Sequence, residues 1–203
     1  ILVDAANVVV RRSRITGDGS TPYAVLTTER GSVRIEYTTI TGEYSGAALA
    51  GDRWTAERVD ITGVTGDGVR MGRATRLRNS WLRDFAPPAD RRVAGVTILV
   101  PDGDVLVEGN RIEVGRGDNR RSAVLLAPPP GAARTSDRPI LIRGNVLNGG
   151  QYTVQQAPGV MEPLAEVADN WFGRDVEFAP MWVPDSVAVN GNRYLDGQAV
   201  TVR

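Results

Sequence analysis

One spacing of apolar residues recurs from end to end of the 203-residue chain. An apolar position is followed two residues later by a second, and five residues after that by a third. The copies are Val8-Val10-Ile15, Val33-Ile35-Ile40, Trp54-Ala56-Ile61 and Thr75-Leu77-Leu82, then Val105-Val107-Ile112, Ile140-Ile142-Leu147, Ala165-Val167-Phe172 and Val187-Val189-Tyr194. Their starting positions differ by 25, 21, 21, 30, 35, 25 and 22 residues. Thr75 is the polar exception and Ala165 a small one. A fixed internal period of this length is the signature of a repeat architecture.

The two-residue step places both apolar side chains on one face of a short strand. The five-residue step is too long for the same straight strand, so the chain must bend within it. At the bend stand Ser13, Thr38, Val59 and Ser80, then Asn110, Asn145, Asn170 and Asn192. Asn tolerates left-handed backbone, and stacked Asn side chains can bond one another from copy to copy. A third strand is expected at Ala24–Leu26, Ala47–Leu49, Val69–Met71, Val96–Ile98, Val124–Leu126, Thr153–Gln155 and Ala199–Val202. No stretch sustains a 3.6-residue apolar period over a dozen residues, and β-branched residues dominate the repeats, so a helical bundle is excluded. The expected fold is all-β: a right-handed parallel β-helix, a solenoid of about eight rungs with three short strands per rung, spanning 1–203 as a single domain.

The segments NVVVRRSRITG, SVRIEYTTITG, DVLVEGNRIEVG and PILIRGNVLNGG resemble the right-handed parallel β-helix repeats of the pectin-lyase-like superfamily. The later stretch running from LNGGQYTVQQ to VAVNGNRYLDG looks like secreted β-helix proteins of bacteria. The resemblance covers nearly the whole chain. It implies the fold, a secreted protein at the extracellular space or cell surface, and a polysaccharide partner. It does not fix an activity, because this superfamily holds lyases, glycosidases, epimerases, phage spikes and non-catalytic adhesins. It also implies that any enzymatic site lies on the third-strand face.

Composition narrows the chemistry. The chain has no Cys, no His and no Lys; Arg supplies all 24 positive charges against 24 Asp and Glu. Disulfides, thiolate nucleophiles, histidine bases, Schiff bases and most transition-metal sites are therefore ruled out. A net charge of zero gives no electrostatic case for nucleic acid. No apolar run approaches the roughly 18 residues of a membrane span.

Three sets of residues qualify as sites. Trp81 and Trp171 share the outward position just after the bend, three rungs apart, with Arg111 between them. Exposed flat aromatics stack on sugar rings, so Trp81, Arg111 and Trp171 form the expected carbohydrate-binding column, unless neighbouring loops cover both rings. On the third-strand face, Val25, Ala48, Arg70, Thr97, Leu125 and Gln155 are expected to point outward. There Asp67, Arg70, Asp84, Asp90 and Arg91 are the candidates for catalysis, a lyase or a glycoside hydrolase working through Asp and Arg. Finally, Arg11, Glu36, Glu57, Arg78, Glu108 and Arg143 stack one per rung. Opposite charges then meet at Arg11/Glu36, Glu57/Arg78, Arg78/Glu108 and Glu108/Arg143, a structural ladder of exposed pairs worth only ~0.2–1 kcal/mol each.

Trp54 falls in a core slot. Asp102-Gly103-Asp104 and Gly117-Asp118-Asn119 resemble fragments of calcium loops but lack the full pattern, so turns are expected and no cofactor; Ca2+ is the alternative. Leu106 and Leu141 are expected to point outward on adjacent rungs beneath the Pro-rich excursion from Ala127 to Pro139. The start at Ile1 suggests a processed product or part of a larger protein. Solenoid ends need caps, for which adjacent domains or a homotrimer would serve. The leading expectation is an extracellular, non-catalytic glycan-binding module. The alternatives are the Asp/Arg enzyme and a structural or host-recognition rod, such as part of a phage spike or surface appendage.

Overall fold

The computed structural model describes residues 1–201. Three eight-stranded parallel sheets run its length, and each is built from every third strand of the chain. The first-strand sheet comprises Val8–Arg11, Val33–Glu36, Trp54–Glu57, Thr75–Arg78, Val105–Glu108, Ile140–Arg143, Ala165–Ala168 and Val187–Asn190. The second-strand sheet comprises Arg14–Asp18, Thr39–Glu43, Asp60–Thr62, Trp81–Arg83, Arg111–Glu113, Val146–Asn148, Trp171–Phe172 and Arg193–Tyr194. The third holds Leu2–Val3, Tyr23–Thr27, Ala47–Gly51, Asp67–Met71, Val93–Ile98, Arg120–Leu126, Tyr152–Gln156 and Ala179–Trp182. The result is a β-solenoid of about eight turns, three strands to the rung.

The repeat positions stack in columns. Val33 pairs with Val8 and Trp54, and Ile35 with Val10 and Ala56; Ile112 stacks between Leu82 and Leu147. These residues form one continuous axial core, fully buried in the middle rungs and only partly buried at Val8, Val10, Ile15, Val189 and Tyr194. Thr75 fits that core because its hydroxyl donates to the Gly72 carbonyl at 2.8 Å. Trp54 is in the core as expected, its indole N–H donating to the Gly51 carbonyl.

At the bend the left-handed residue is not the Asn but the one before it: Arg12, Tyr37, Arg58 and Asn79 in the first four rungs, then Gly109, Gly144, Asp169 and Gly191, all near φ +50 to +67°. That residue turns the corner, so the next side chain points inward. Asn110, Asn145, Asn170 and Asn192 are consequently buried, each amide bonding to the next at 2.9–3.0 Å.

The third-strand face needs correction. In the strands Tyr23–Thr27, Ala47–Gly51 and Arg120–Leu126 two consecutive residues, Ala24-Val25, Ala48-Leu49 and Ala123-Val124, join the core, so parity shifts within them. Val25 stacks with Leu49, Val69 and Val96 in the core, and Ala48 is buried with them. The outward column is Leu26, Ala50, Arg70, Thr97, Leu125, Gln155 and Trp182, in register. Two strands of this sheet, Leu2–Val3 and Ala179–Trp182, are unexpected additions. The expected strand at Ala199–Val202 is absent among the described residues: Ala199 makes an isolated antiparallel bridge to Arg193, and Val202 lies outside them.

Candidate functional site

Trp81 opens its strand, and strand alternation sends it outward while Leu82 enters the core. Register places Asp60, Trp81, Arg111, Val146, Trp171 and Arg193 in one column of the second-strand face. Trp81 and Trp171 are thus three rungs apart, roughly 14 Å at the ~4.8 Å strand spacing. Neither ring is covered by neighbouring loops: Trp81 is 40% and Trp171 42% exposed.

Trp81 is held by its surroundings. The guanidinium carbon of Arg83 lies 4.3 Å from the ring centroid and that of Arg111 5.3 Å. The indole N–H donates to Glu113 at 2.9 Å, and Glu113 also accepts both guanidinium bonds of Arg111 at 2.9 Å. Arg83 bridges Asp60 and Asp84. The Arg111 hydrogen bonds hold the Glu113 carboxyl below its ordinary value. Glu113 and Arg83 were not singled out from sequence, yet each lies two residues from a candidate, on the same strand face.

Two clefts flank this tryptophan. One, of about 460 Å³, follows the bend and is bounded by Arg58, Asp60, Asn79, Trp81, Arg111 and Val146 over the backbone of Gly109 and Gly144. The other, of about 480 Å³, lies toward the loop after the strand, between Trp81, Asp84, Glu113, Arg120, Asn148 and Asp175. Planar carboxylate, amide and guanidinium groups beside an aromatic ring are suited to the alternating hydroxyls and apolar faces of a sugar. Trp171 stands farther along the same column with Val146 and Arg193 as register neighbours.

The other candidate set is divided. Asp67 and Arg70 meet at 2.8 Å, and Asp67 also accepts from the Ala94 amide and the Thr97 hydroxyl. At 7% exposure, this carboxylate is enclosed by donors. Asp84 is not part of that group. It sits beyond Trp81–Arg83 on the second-strand side, bonded to Arg83 and Thr62. Asp90 is exposed on the connecting loop, where the Arg91 amide closes a turn onto Pro88. Farther along the third-strand face, Leu125 and Ala94 are covered by Ala157 and Val160, while Tyr152 packs against Phe178 and Trp182.

The remaining features are structural. Arg11–Glu36, Arg78–Glu108 and Arg143–Glu108 form ion pairs as the ladder requires. Arg78 turns to Glu108 instead of Glu57, which accepts from Asn79. Leu106 and Leu141 are register partners and half-buried. Asp102 accepts from the Thr135 and Ser136 amides and so anchors the Pro-rich excursion, and Asp104 pairs with Arg76. Among the described residues no three acidic side chains gather as a metal site, and no helix is long and apolar enough to cross a membrane. Comparison with protein-family models, curated proteins and solved structures returns no match.

Proposed function

We propose that this chain is an extracellular or cell-surface polysaccharide-associated module that binds a glycan along the second-strand face and does not cleave it. The observation that carries this reading is the single column in which Trp81 and Trp171 stand half-exposed, with Arg111 between them. A sugar chain laid parallel to the solenoid axis meets one ring, a guanidinium and then the second ring. Glu113, held below its ordinary value by the Arg111 hydrogen bonds, is suited to accept hydrogen bonds and not to serve as the proton-keeping acid of glycoside cleavage. Asp67, saturated by Arg70, Ala94 and Thr97, has no second carboxyl among its partners.

The test is a glycan array followed by titration of the best ligand against the wild type and Trp171→Ala. Binding with at least a tenfold loss in the variant is expected. No binder on the array, or unchanged affinity in Trp171→Ala, overturns the reading. Product analysis of the same glycan after long incubation addresses the enzymatic alternative: new reducing ends, or an unsaturated product absorbing in the ultraviolet, would overturn the non-catalytic part.

A further inference from the structure

A second site stands where two central strands of the third-strand sheet begin, and positive charge is left over there. The strand Val93–Ile98 pairs with Arg120–Leu126 through a shifted register: Val93 faces Arg120, but Ala94 faces Ser122. Arg121 is the extra residue between them. An unpaired residue of this kind bends its strand and re-aims its side chain, and such bulges gather beside functional sites. Arg92 immediately precedes the partner strand, and the Ala94 amide, two residues on, donates to Asp67. Arg70 completes the group through its 2.8 Å contact with the same carboxylate.

Among the described residues, Asp67 is the one carboxylate that acts on this group of arginines. Asp67 is already taken by Arg70, Ala94 and Thr97. Neither Arg92 nor Arg121 has an ion pair or a side-chain hydrogen bond among the described residues, whereas 10 arginine–carboxylate pairs stand elsewhere. Arg121 is half-buried and Arg92 exposed. Burial, then the like charge of Arg92, draws the Arg121 guanidinium below its ordinary value, and Asp67 offsets this only in part. A partly desolvated guanidinium under the like charge of another, with its fork of donors unused, is an arrangement that an anion relieves.

The geometry points to an oxyanion site between Arg121 and Arg92, rimmed by the Asp67–Arg70 pair, taking a carboxylate, sulfate or phosphate group by bidentate guanidinium hydrogen bonds. It lies on a different sheet from Trp81 and Trp171, and neither site depends on the other. At the bulge Arg121 engages its main-chain carbonyl with the Gln151 amide at 2.9 Å, while its guanidinium has no hydrogen-bond or ion-pair partner among the described residues.

Calorimetric titration with sodium sulfate, sodium phosphate and sodium glucuronate, each against sodium chloride at equal ionic strength, tests the site. Saturable binding of at least one anion, with Kd on the order of 1 mM, is expected. Arg121→Gln and Arg92→Gln should each weaken it by about tenfold, and Arg116→Gln, whose arginine pairs with Asp175 on another surface, should not change it. The preferred anion tells which oxyanion source the site suits. Should Arg121→Gln disturb folding, the exposed Arg92→Gln carries the test alone. The inference falls if no anion saturates beyond chloride, or if affinity survives in every folded variant of the two arginines.

Discussion

Glu113 shows how much one side chain can organise on a face that is largely open to water. It accepts from the Trp81 indole and from two nitrogens of Arg111, and so fixes the ring that we propose stacks on sugar. Its carboxyl is held below the ordinary value chiefly by the Arg111 hydrogen bonds. A group whose folded-state value is depressed contributes stability above its unfolded value, and the contribution is lost as pH falls through the folded one. Glu113→Gln should therefore lower the thermal midpoint at pH 7, and the difference should begin to shrink below the ordinary Glu value of about 4.3 and vanish only as pH falls through the lower folded-state value. Thermal unfolding of both across pH 3–7 reads this out. A difference that persists unchanged into acid would show that the carboxylate charge plays no part.

The bend of each rung is the element that makes this solenoid regular. Asn145 donates to Asn170, to the Val107 carbonyl and to the Arg143 carbonyl, and accepts from the amide and side chain of Asn110. Replacing it by Ala leaves several buried partners unsatisfied at about 1–3 kcal/mol each, so a loss of about 3–5 kcal/mol is expected in urea denaturation. Ser13→Ala, at the equivalent but exposed bend of the first rung, should cost less than about 1 kcal/mol. Equal losses would contradict side-chain amide links that join the bends of the last four rungs only. This ladder was legible as a run of Asn at one repeat position. Its mechanism was not: the left-handed corner belongs to the preceding residue, and that shift in phase is what turns the amide inward. The third strands failed similarly. Alternation alone put Val25 and Ala48 outside, whereas the successive inward residues Ala24-Val25 and Ala48-Leu49 of their strands put them inside.

Taken along its full length, the molecule is a stack in which the strands of each rung pair only with those of the neighbouring rungs. Stability in such arrays is nearly a sum of rung and interface contributions. Ile142, buried in the middle of the core, should cost about 2–5 kcal/mol on replacement by Ala. Val10→Ala, at a partly buried position of the first rung, should cost well under half as much, and amide exchange should be slowest in the central rungs. Similar losses at both positions would argue for one all-or-none core. The axial order also decides what surfaces exist. The column of Trp81, Arg111 and Trp171 was legible because equal offsets in the repeat become vertical neighbours in a parallel stack. For the same reason the charge ladder was visible, although Arg78 selects Glu108 and leaves Glu57 to Asn79.

Repeated apolar spacing alone determines the solenoid, its rung count and its columns, since only one winding buries every copy of the spacing at once. Loops escape that rule, because their residues are not bound to the period. Whether Asp84 joins Asp67, where Asp102 sends its carboxylate, and which residue is squeezed out opposite Val93 and Ala94 depend on chain paths between rungs of unequal length. Those paths are settled by packing and by buried hydrogen bonds among residues far apart in sequence, and so they exist only once the chain has folded.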